Sequence, residues 1–556
     1  MPPTILPEVD VCVIGSGGGG GPVAYECAKA GLKVVVLEKG PRYAAKDFIP
    51  HDEIRHTRRD FWLPWDSEEP HVLAKNGGPP ERSRWGWTAS CVGGATAHMM
   101  GMFMRLRPED FRVKSLFGAP PGVNVADWPI SYEDLAPFYE EVEQYLGISG
   151  AADEIPAEWR PAKPFPLPTV ATHPLKRHLF EAAKRIGLHP FSTPRAILSE
   201  KYKERSGCSY CHFCADWGCE VDAKSSALVT WIRDAEATGN CEVRPKSMAA
   251  RIEVDADRRA RRVVYLTPEG EKVQPARVIA VACAPIESAR LLLNSASPAF
   301  PNGLANGSGQ VGKNLTFSAG GATRAVFEYG KSKVPDEALR APGMFVDTTA
   351  QDYYVVHDKG LPYPKVGTIQ MVLVGGQPIG NALMIAVETT PPKFGKRLKD
   401  EMRARIKGGL TVEGEQFLEF FPTDGTKVTV DGSVKDRFGL PVARIDLAPH
   451  PWHVQNALFL QNATAKIYAE AGATEVLRLG VGTETPFLQH GTCRFGEDAA
   501  VTVLDPWCAA HEVKNLFVTD GSCWPTSGAA PPTLTLYANA LRTARHLVAE
   551  AKAGRL

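Results

Sequence analysis

Apolar positions along the chain come in short runs separated by turns rich in glycine and proline. Val9–Ile14 reads VDVCVI, a β-branched apolar run of the kind buried on both faces of a parallel sheet. A glycine run follows, and Pro22–Ala30 then reads as a helix with small residues on one face, ending near Gly31. Lys33–Leu37 is a second apolar strand, closed by Glu38. Much later, Ile369–Gly375 (IQMVLVG), Leu383–Thr390 (LMIAVETT) and Lys427–Gly432 (KVTVDG) read as strands of an antiparallel sheet that would roof a pocket. From Ile155 the stretch IPAEWRPAKPFPLPT reads as an extended connection over the surface. No uninterrupted apolar run approaches the roughly 18 residues of a membrane-spanning helix, so no span is expected.

Length and charge narrow this picture. A chain of 556 residues exceeds the size at which single cores stop growing, about 250–300 residues, so two domains are expected. Lys+Arg and Asp+Glu both number 63, which argues against a nucleic-acid footprint or an anionic-membrane surface. The start, MPPTILPEVDVCVIG, has no basic segment followed by an apolar one and a cleavage site; it reads as a lead into a strand, and a cytoplasmic location is expected. Four of the twelve cysteines cluster at Cys208, Cys211, Cys214 and Cys219; most of the others read as small buried hydrophobes.

The run Gly15-Ser16-Gly17-Gly18-Gly19-Gly20 fits GxGxxG between the first strand and its helix. Each part has a physical task. Gly15 makes the tight turn, Gly17 lets a pyrophosphate touch the backbone, and Gly20 lets helix pack on strand. Free N–H groups at the helix start attract the phosphate charge, and Glu38 accepts hydrogen bonds from ribose hydroxyls. Strand, loop, helix, strand and acid fall in order within some thirty residues, which makes this a dinucleotide site rather than a flexible turn. Gly18, Gly19 and Gly21 exceed the needs of the motif.

Which dinucleotide is decided elsewhere. EKGPRY (Glu38–Tyr43, including Lys39), RWGWTASCVGGATAHMMGMFMRLRPEDF (Arg84–Phe111) and DWPISYEDLAPFYEEVEQYLGISG (Asp127–Gly150) all resemble segments of the glucose–methanol–choline (GMC) oxidoreductases, above all their bacterial sugar and polyol dehydrogenases. So do VIAVACAPIESARLLLNS (Val278–Ser295), GQVGKNL (Gly309–Leu315), HGTCRFGEDAAVTVLD (His490–Asp505) and NLFVTDGSCWPTSGAAPPTLTLYANALRTA (Asn515–Ala544). Only about 326–424 lacks clear family wording. The resemblance implies FAD as cofactor, an α/β fold with a discontinuous Rossmann-like FAD-binding domain, and a substrate-binding cap with an antiparallel sheet. The FAD domain is expected at 1–125, 205–320 and 480–556, and the cap at 126–204 and 321–479.

Gly93 and Gly94 follow an aromatic-rich stretch, where backbone amides can approach a flat ring. In some relatives the histidine matching His98 carries the flavin covalently, so His98 is a candidate for attachment or for simple flavin contact. The resemblance sets Asp520 and Gly521 against the flavin's ribityl and phosphate groups, with Pro532 and Thr533 at the start of the closing helix. Met99, Met100, Met102 and Met104 read as core, or as pocket lining.

Oxidising an alcohol on a flavin requires hydride to leave carbon while a proton leaves oxygen, and a neutral histidine suits the proton's acceptor. The family supplies it just upstream of a GTCRxG-like segment, which makes His490 the proposed base. Two departures stand out. At the usual spacing the position would be Leu488, and Pro531 stands where relatives carry Asn or His in NPTLT; proline has no side-chain donor or acceptor.

GCSYCHFCADWGC gives C-x2-C-x2-C-x4-C from Cys208 to Cys219. Such thiolates hold an iron–sulfur cluster or a zinc ion, and the alternatives are disulfides or reduced thiols. The resembling glucose and fructose dehydrogenases carry a three-iron cluster in the corresponding place, at a different spacing. His212 reads as a solvated loop residue. The function expected is an FAD-dependent dehydrogenase oxidising an alcohol of a sugar, glycoside or polyol, with an electron-transfer partner or small subunit. The alternatives are an H2O2-producing oxidase and a lyase-type or non-turnover flavoprotein.

Overall fold

The computed structural model describes residues 3–48, 53–57, 61–62, 70–86, 88–214, 217–357, 360–374, 378–387, 391–480 and 487–556. Among these, three sheets of nine, six and four strands organise the chain. The α/β fold and the antiparallel cap sheet expected from the sequence are both present.

The nine-stranded sheet is built around Val9–Ile14, which pairs in parallel with Val34–Leu37 on one side and with Gly270–Val281 on the other. Val11, Cys12 and Val13 have no exposed surface, as expected of a strand covered on both faces. Cys241–Arg244 and Val513–Val518 extend the parallel core outwards. Helix Gly20–Lys29 lies over this sheet beside the last helix, Thr533–Lys552. Its small residues Ala24, Cys27 and Ala28 are fully buried, which lets helix and sheet come close.

The six-stranded sheet is antiparallel, in the order 345–350, 367–374, 409–418, 316–328 and 475–479. Its long strand Thr316–Glu328 also pairs through its first residues with Phe487–His490, Thr316 facing His490. Helix Pro451–Ala471 backs the sheet with Leu460, Ile467 and Tyr468 buried. The strand expected at Ile369–Gly375 is found as Gly367–Val374. The strand expected at Lys427–Gly432 is found as Lys427–Lys435 and instead joins Pro441–Leu447, His71–Lys75 and Glu81–Ser83 in the four-stranded sheet.

One expectation is reversed. The strand expected from Leu383 lies within helix Pro378–Val387, with 388–390 outside the described residues. Ala382, Leu383, Met384 and Ala386 are good helix formers, and a short apolar run does not separate strand from helix by itself.

Candidate active site

The two glycine loops meet. Gly15 turns the chain at φ +98°, where a Cβ would lie 2.3 Å from the Ala282 carbonyl oxygen. A Cβ on Gly20 would lie 1.9 Å from the carbonyl oxygen of Gly15. Gly93 and Gly94 also have positive φ, and a Cβ on Gly94 would come within 3.0 Å of the Gly17 Cα. Ser16 ties the loops together: its Oγ accepts the Gly93 N–H at 2.9 Å and donates to Glu38 Oε2 at 2.7 Å. Glu38 also accepts the N–H of Gly40 at 2.9 Å; burial still pushes its carboxyl above the usual range. Lys39 Nζ stands 3.8 Å from Glu287 Oε2.

The surplus glycines are contact surfaces for the rest of the chain. A Cβ on Gly18 would meet Leu536 at 2.9 Å, on Gly19 the Thr519 carbonyl at 2.8 Å, and on Gly21 the Trp231 side chain at 3.0 Å. Gly18 and Gly19 therefore let the carboxyl-terminal segment lie directly on the first loop. There Asp520, 3 % exposed, accepts hydrogen bonds from Ser522 N at 2.8 Å and Ser288 Oγ at 2.5 Å.

A cavity of about 1470 Å³ starts at Gly15–Gly19 and Glu38 and passes Gly94, His98, Met99, Met100 and Met102. It continues to Asp520, Gly521, Pro532 and Thr533, and ends against residues of the six-stranded sheet that include Phe317, Val326, Val372 and Phe417. A drug-sized ligand fills roughly 300–1,000 Å³, so this space takes a dinucleotide and a second molecule together. No side chain caps the helix that starts at Thr533, so its first N–H groups are available to a polar ligand edge. His98 lies under Trp62 with ring centroids 4.9 Å apart. Met104 is core.

His490 lines the cavity and is 2 % exposed, its ring stacked on Trp524 at 4.5 Å and 7°. Nε2 lies 2.5 Å from Ser318 Oγ. When Ser318 donates its single hydroxyl proton to the Ser527 carbonyl, 3.2 Å away, it acts as acceptor toward His490. That assigns the proton to Nε2 and leaves the lone pair on Nδ1, which has no hydrogen-bond partner among the described residues. Burial pushes the imidazole pKa down to about 3, so the ring is neutral. Ser527 is itself held by Glu419, whose Oε1 accepts from its N–H at 3.0 Å and its Oγ at 3.2 Å. Burial raises the Glu419 carboxyl to about 7. Lys365, 2.7 Å from Asp110 in a fully buried pair, opposes that rise. Leu488, at φ +65°, and Pro531 also line the cavity.

Ser318, Ser527 and Glu419 escape sequence reasoning. Ser318 sits in an ordinary apolar strand, and it meets Ser527 across 209 positions of chain.

The cysteine cluster has a different character. Cys208, Cys211, Cys214 and Cys219 are free thiols, and among the described residues no three His, Cys, Asp or Glu side chains converge to hold a metal ion. Burial raises the thiols of Cys208 to about 12 and Cys214 to about 11. Lys224 Nζ donates to the carbonyls of Cys214 and Trp217 at 2.9 and 2.7 Å, which fixes the loop without a metal. His212, Cys214 and Trp217 line the cavity. The four thiols as placed do not fit an iron–sulfur cluster or a zinc ion.

Comparison with known proteins agrees with this geometry. Residues 81–318 and 422–540 match the GMC oxidoreductase family, and residues 10–46 match the FAD binding domain. The chain is 30% identical over 554 residues to 6'''-hydroxyparomomycin C oxidase of Streptomyces lividus, covering 98% of this chain and 92% of that protein. The chain belongs to the GMC oxidoreductase family. Another relative, 2-methyl-1,2-propanediol dehydrogenase of Mycolicibacterium austroafricanum, is 28% identical over 98% of this chain and 96% of its own. The fold is that of Aspergillus oryzae formate oxidase, with a TM-score of 0.62 at 16% identity over 100% of both chains. As a GMC oxidoreductase the protein is an FAD-dependent enzyme. Among the described residues no helix is long and apolar enough to cross a membrane.

Proposed function

We propose that the chain oxidises a primary or secondary alcohol of a sugar, glycoside or polyol, with His490 accepting the hydroxyl proton. FAD, when bound, supplies the acceptor for the hydride that leaves carbon. Gly15, Gly17, Gly18 and Gly20 with Glu38 and Lys39 would hold its adenosine and diphosphate end, and Gly93, Gly94 and His98 its ring. Asp520, Gly521, Pro532 and Thr533 would close over the middle. The fit rests on the facing loops, where added Cβ atoms would fill the space between Gly17 and Gly94.

The observation that carries the reading is the unpartnered, buried Nδ1 of His490 in a residue that lines the cavity. A buried acceptor left unmade costs about 1–3 kcal/mol, so a hydroxyl that reached Nδ1 past Gly521, which lies against it, would be favoured. The ring is neutral, as a proton acceptor must be, and Trp524 and Ser318 hold its plane. Leu488 and Pro531 make the neighbouring wall apolar, so His490 acts without a second polar side chain from those positions. Farther out the cavity is lined by Arg324, Glu413 and Glu475, groups suited to the hydroxyls or amines of a polar substrate. The iron–sulfur cluster has no place in this reading.

Purified FAD-loaded protein should show flavin absorbance that a sugar or polyol bleaches under anaerobic conditions. His490→Ala should slow that bleaching by about 10²–10⁴-fold with FAD retained. Bleaching at the wild-type rate in His490→Ala would remove the proposed base. The acceptor has two readings, because one relative is named an oxidase and another a dehydrogenase. Peroxide formed in step with substrate marks an oxidase; turnover only with a dye or partner chain marks a dehydrogenase.

A further inference from the structure

Residues 326–424, which lack family wording, contain a paired helical element at the cavity. Helices Pro378–Val387 and Gly395–Lys407 pack on each other. Their inner side forms cavity wall through Pro378, Gly380, Ile385, Arg405 and Ile406. Their outer side combines two features that the neutral balance of the whole chain conceals.

One is apolar. Ile379 and Leu383, four residues apart and so on one helix face, are 46% and 43% exposed. Phe394, at the start of the second helix, is 81% exposed, the most exposed large hydrophobic side chain among the described residues. Ile54 stands beside them at 51%, because Glu53 next to it accepts the N–H groups of Ile379 and Gly380 at 2.7 and 3.0 Å. The other feature is charge. Helix 395–407, GKRLKDEMRARIK, carries six basic residues against two acidic ones, and Lys396, Arg397, Lys399, Arg403 and Lys407 are exposed. Asp400 pairs with Lys396 and Arg403, whereas Arg397, Lys399 and Lys407 have no ion-pair partner among the described residues.

Exposed aliphatic and aromatic side chains bordered by unpaired cations are the makeup of a surface that rests in a bilayer interface. An acidic protein partner would have to offer an apolar pocket for Phe394 beside its carboxylates, whereas an anionic bilayer interface supplies charge and apolar phase together. We propose that this helix pair is a contact surface for an anionic lipid bilayer, which would bring the cap end of the cavity against the membrane.

The test is flotation of the full-length, FAD-loaded protein with vesicles of phosphatidylcholine, alone or mixed with phosphatidylglycerol, at low and high salt. Binding should require phosphatidylglycerol and weaken with salt. Lys399→Ala or Lys407→Ala should each reduce it about fivefold, and Phe394→Ser with Leu383→Ser should reduce it further. All these positions are exposed, so flavin content and thermal midpoint should stay at wild-type values, which separates lost contact from lost folding. No flotation at low salt, or flotation that ignores lipid charge and these substitutions, overturns the proposal. Capture by an acidic protein with no vesicle binding also overturns it.

Discussion

Ser318→Ala is the sharpest test of how His490 is held. The substitution removes one oxygen, and the strand pairing of Thr316 with His490 remains. Its consequence is local: Nε2–H loses an acceptor at 2.5 Å inside a site where the ring is 2 % exposed. A buried donor without a partner costs about 1–3 kcal/mol, so the ring no longer prefers the Nε2–H tautomer and can turn on Trp524. A loss of about 1.4 kcal/mol of that preference in the reacting geometry corresponds to tenfold in rate. The expected result is therefore a fall of about tenfold or more in the rate of anaerobic flavin bleaching, with little change in the substrate concentration needed for half-saturation. Stopped-flow reduction of FAD-loaded protein measures both. Ser318→Thr keeps the hydroxyl and should recover most of the rate. An unchanged rate in Ser318→Ala, with FAD bound in normal amount, would refute the assignment of the lone pair to Nδ1.

Other outcomes follow from the same geometry. Gly94→Ala places a Cβ 3.0 Å from the Gly17 Cα at φ +55°, and should yield protein with most of its flavin absorbance missing after gel filtration. The folded pKa of His490 is depressed to about 3, so the neutral base persists as pH falls past the usual histidine range. The acid side of the kcat/KM profile should accordingly show no histidine-like break near 6.5, and a break there would contradict the burial. Serine at Cys208, Cys211, Cys214 and Cys219 together should leave flavin content and substrate-driven bleaching within about twofold of wild type, and elemental analysis of the wild type should find no stoichiometric iron or zinc. Lys365→Met leaves Asp110 buried without its cation and should cost about 3–5 kcal/mol, seen as a markedly lower thermal midpoint.

What the sequence discloses is local. GSGGGG between an apolar strand and a helix, with Glu38 after the second strand, carries its geometry in its spacing, whereas the tie of Ser16 to both Gly93 and Glu38 shows only in the structure. Gly18 and Gly19 have no explanation until the far end of the chain is laid against them, because the atoms they avoid belong to Leu536 and Thr519. Leu383 reads as strand because apolar runs of that length suit either element, and in the structure it lies in a helix packed on Gly395–Lys407. The spacing of the four cysteines is suggestive, but convergence of their sulfurs depends on a loop that Lys224 fixes instead. The setting of His490 is the least readable, since Ser318, Ser527 and Glu419 reach it from three separate segments.

The strand Thr316–Glu328 is shared property. Its first residues pair with Phe487–His490, and its remainder lines the cavity through Arg324 and Val326. Imidazole and roof are thus parts of one hydrogen-bonded plate. If that roof swung away as a rigid flap to admit a reactant, it would drag the imidazole with it. Entry of a molecule between side chains and loops at the rim would leave His490 in place beneath that roof.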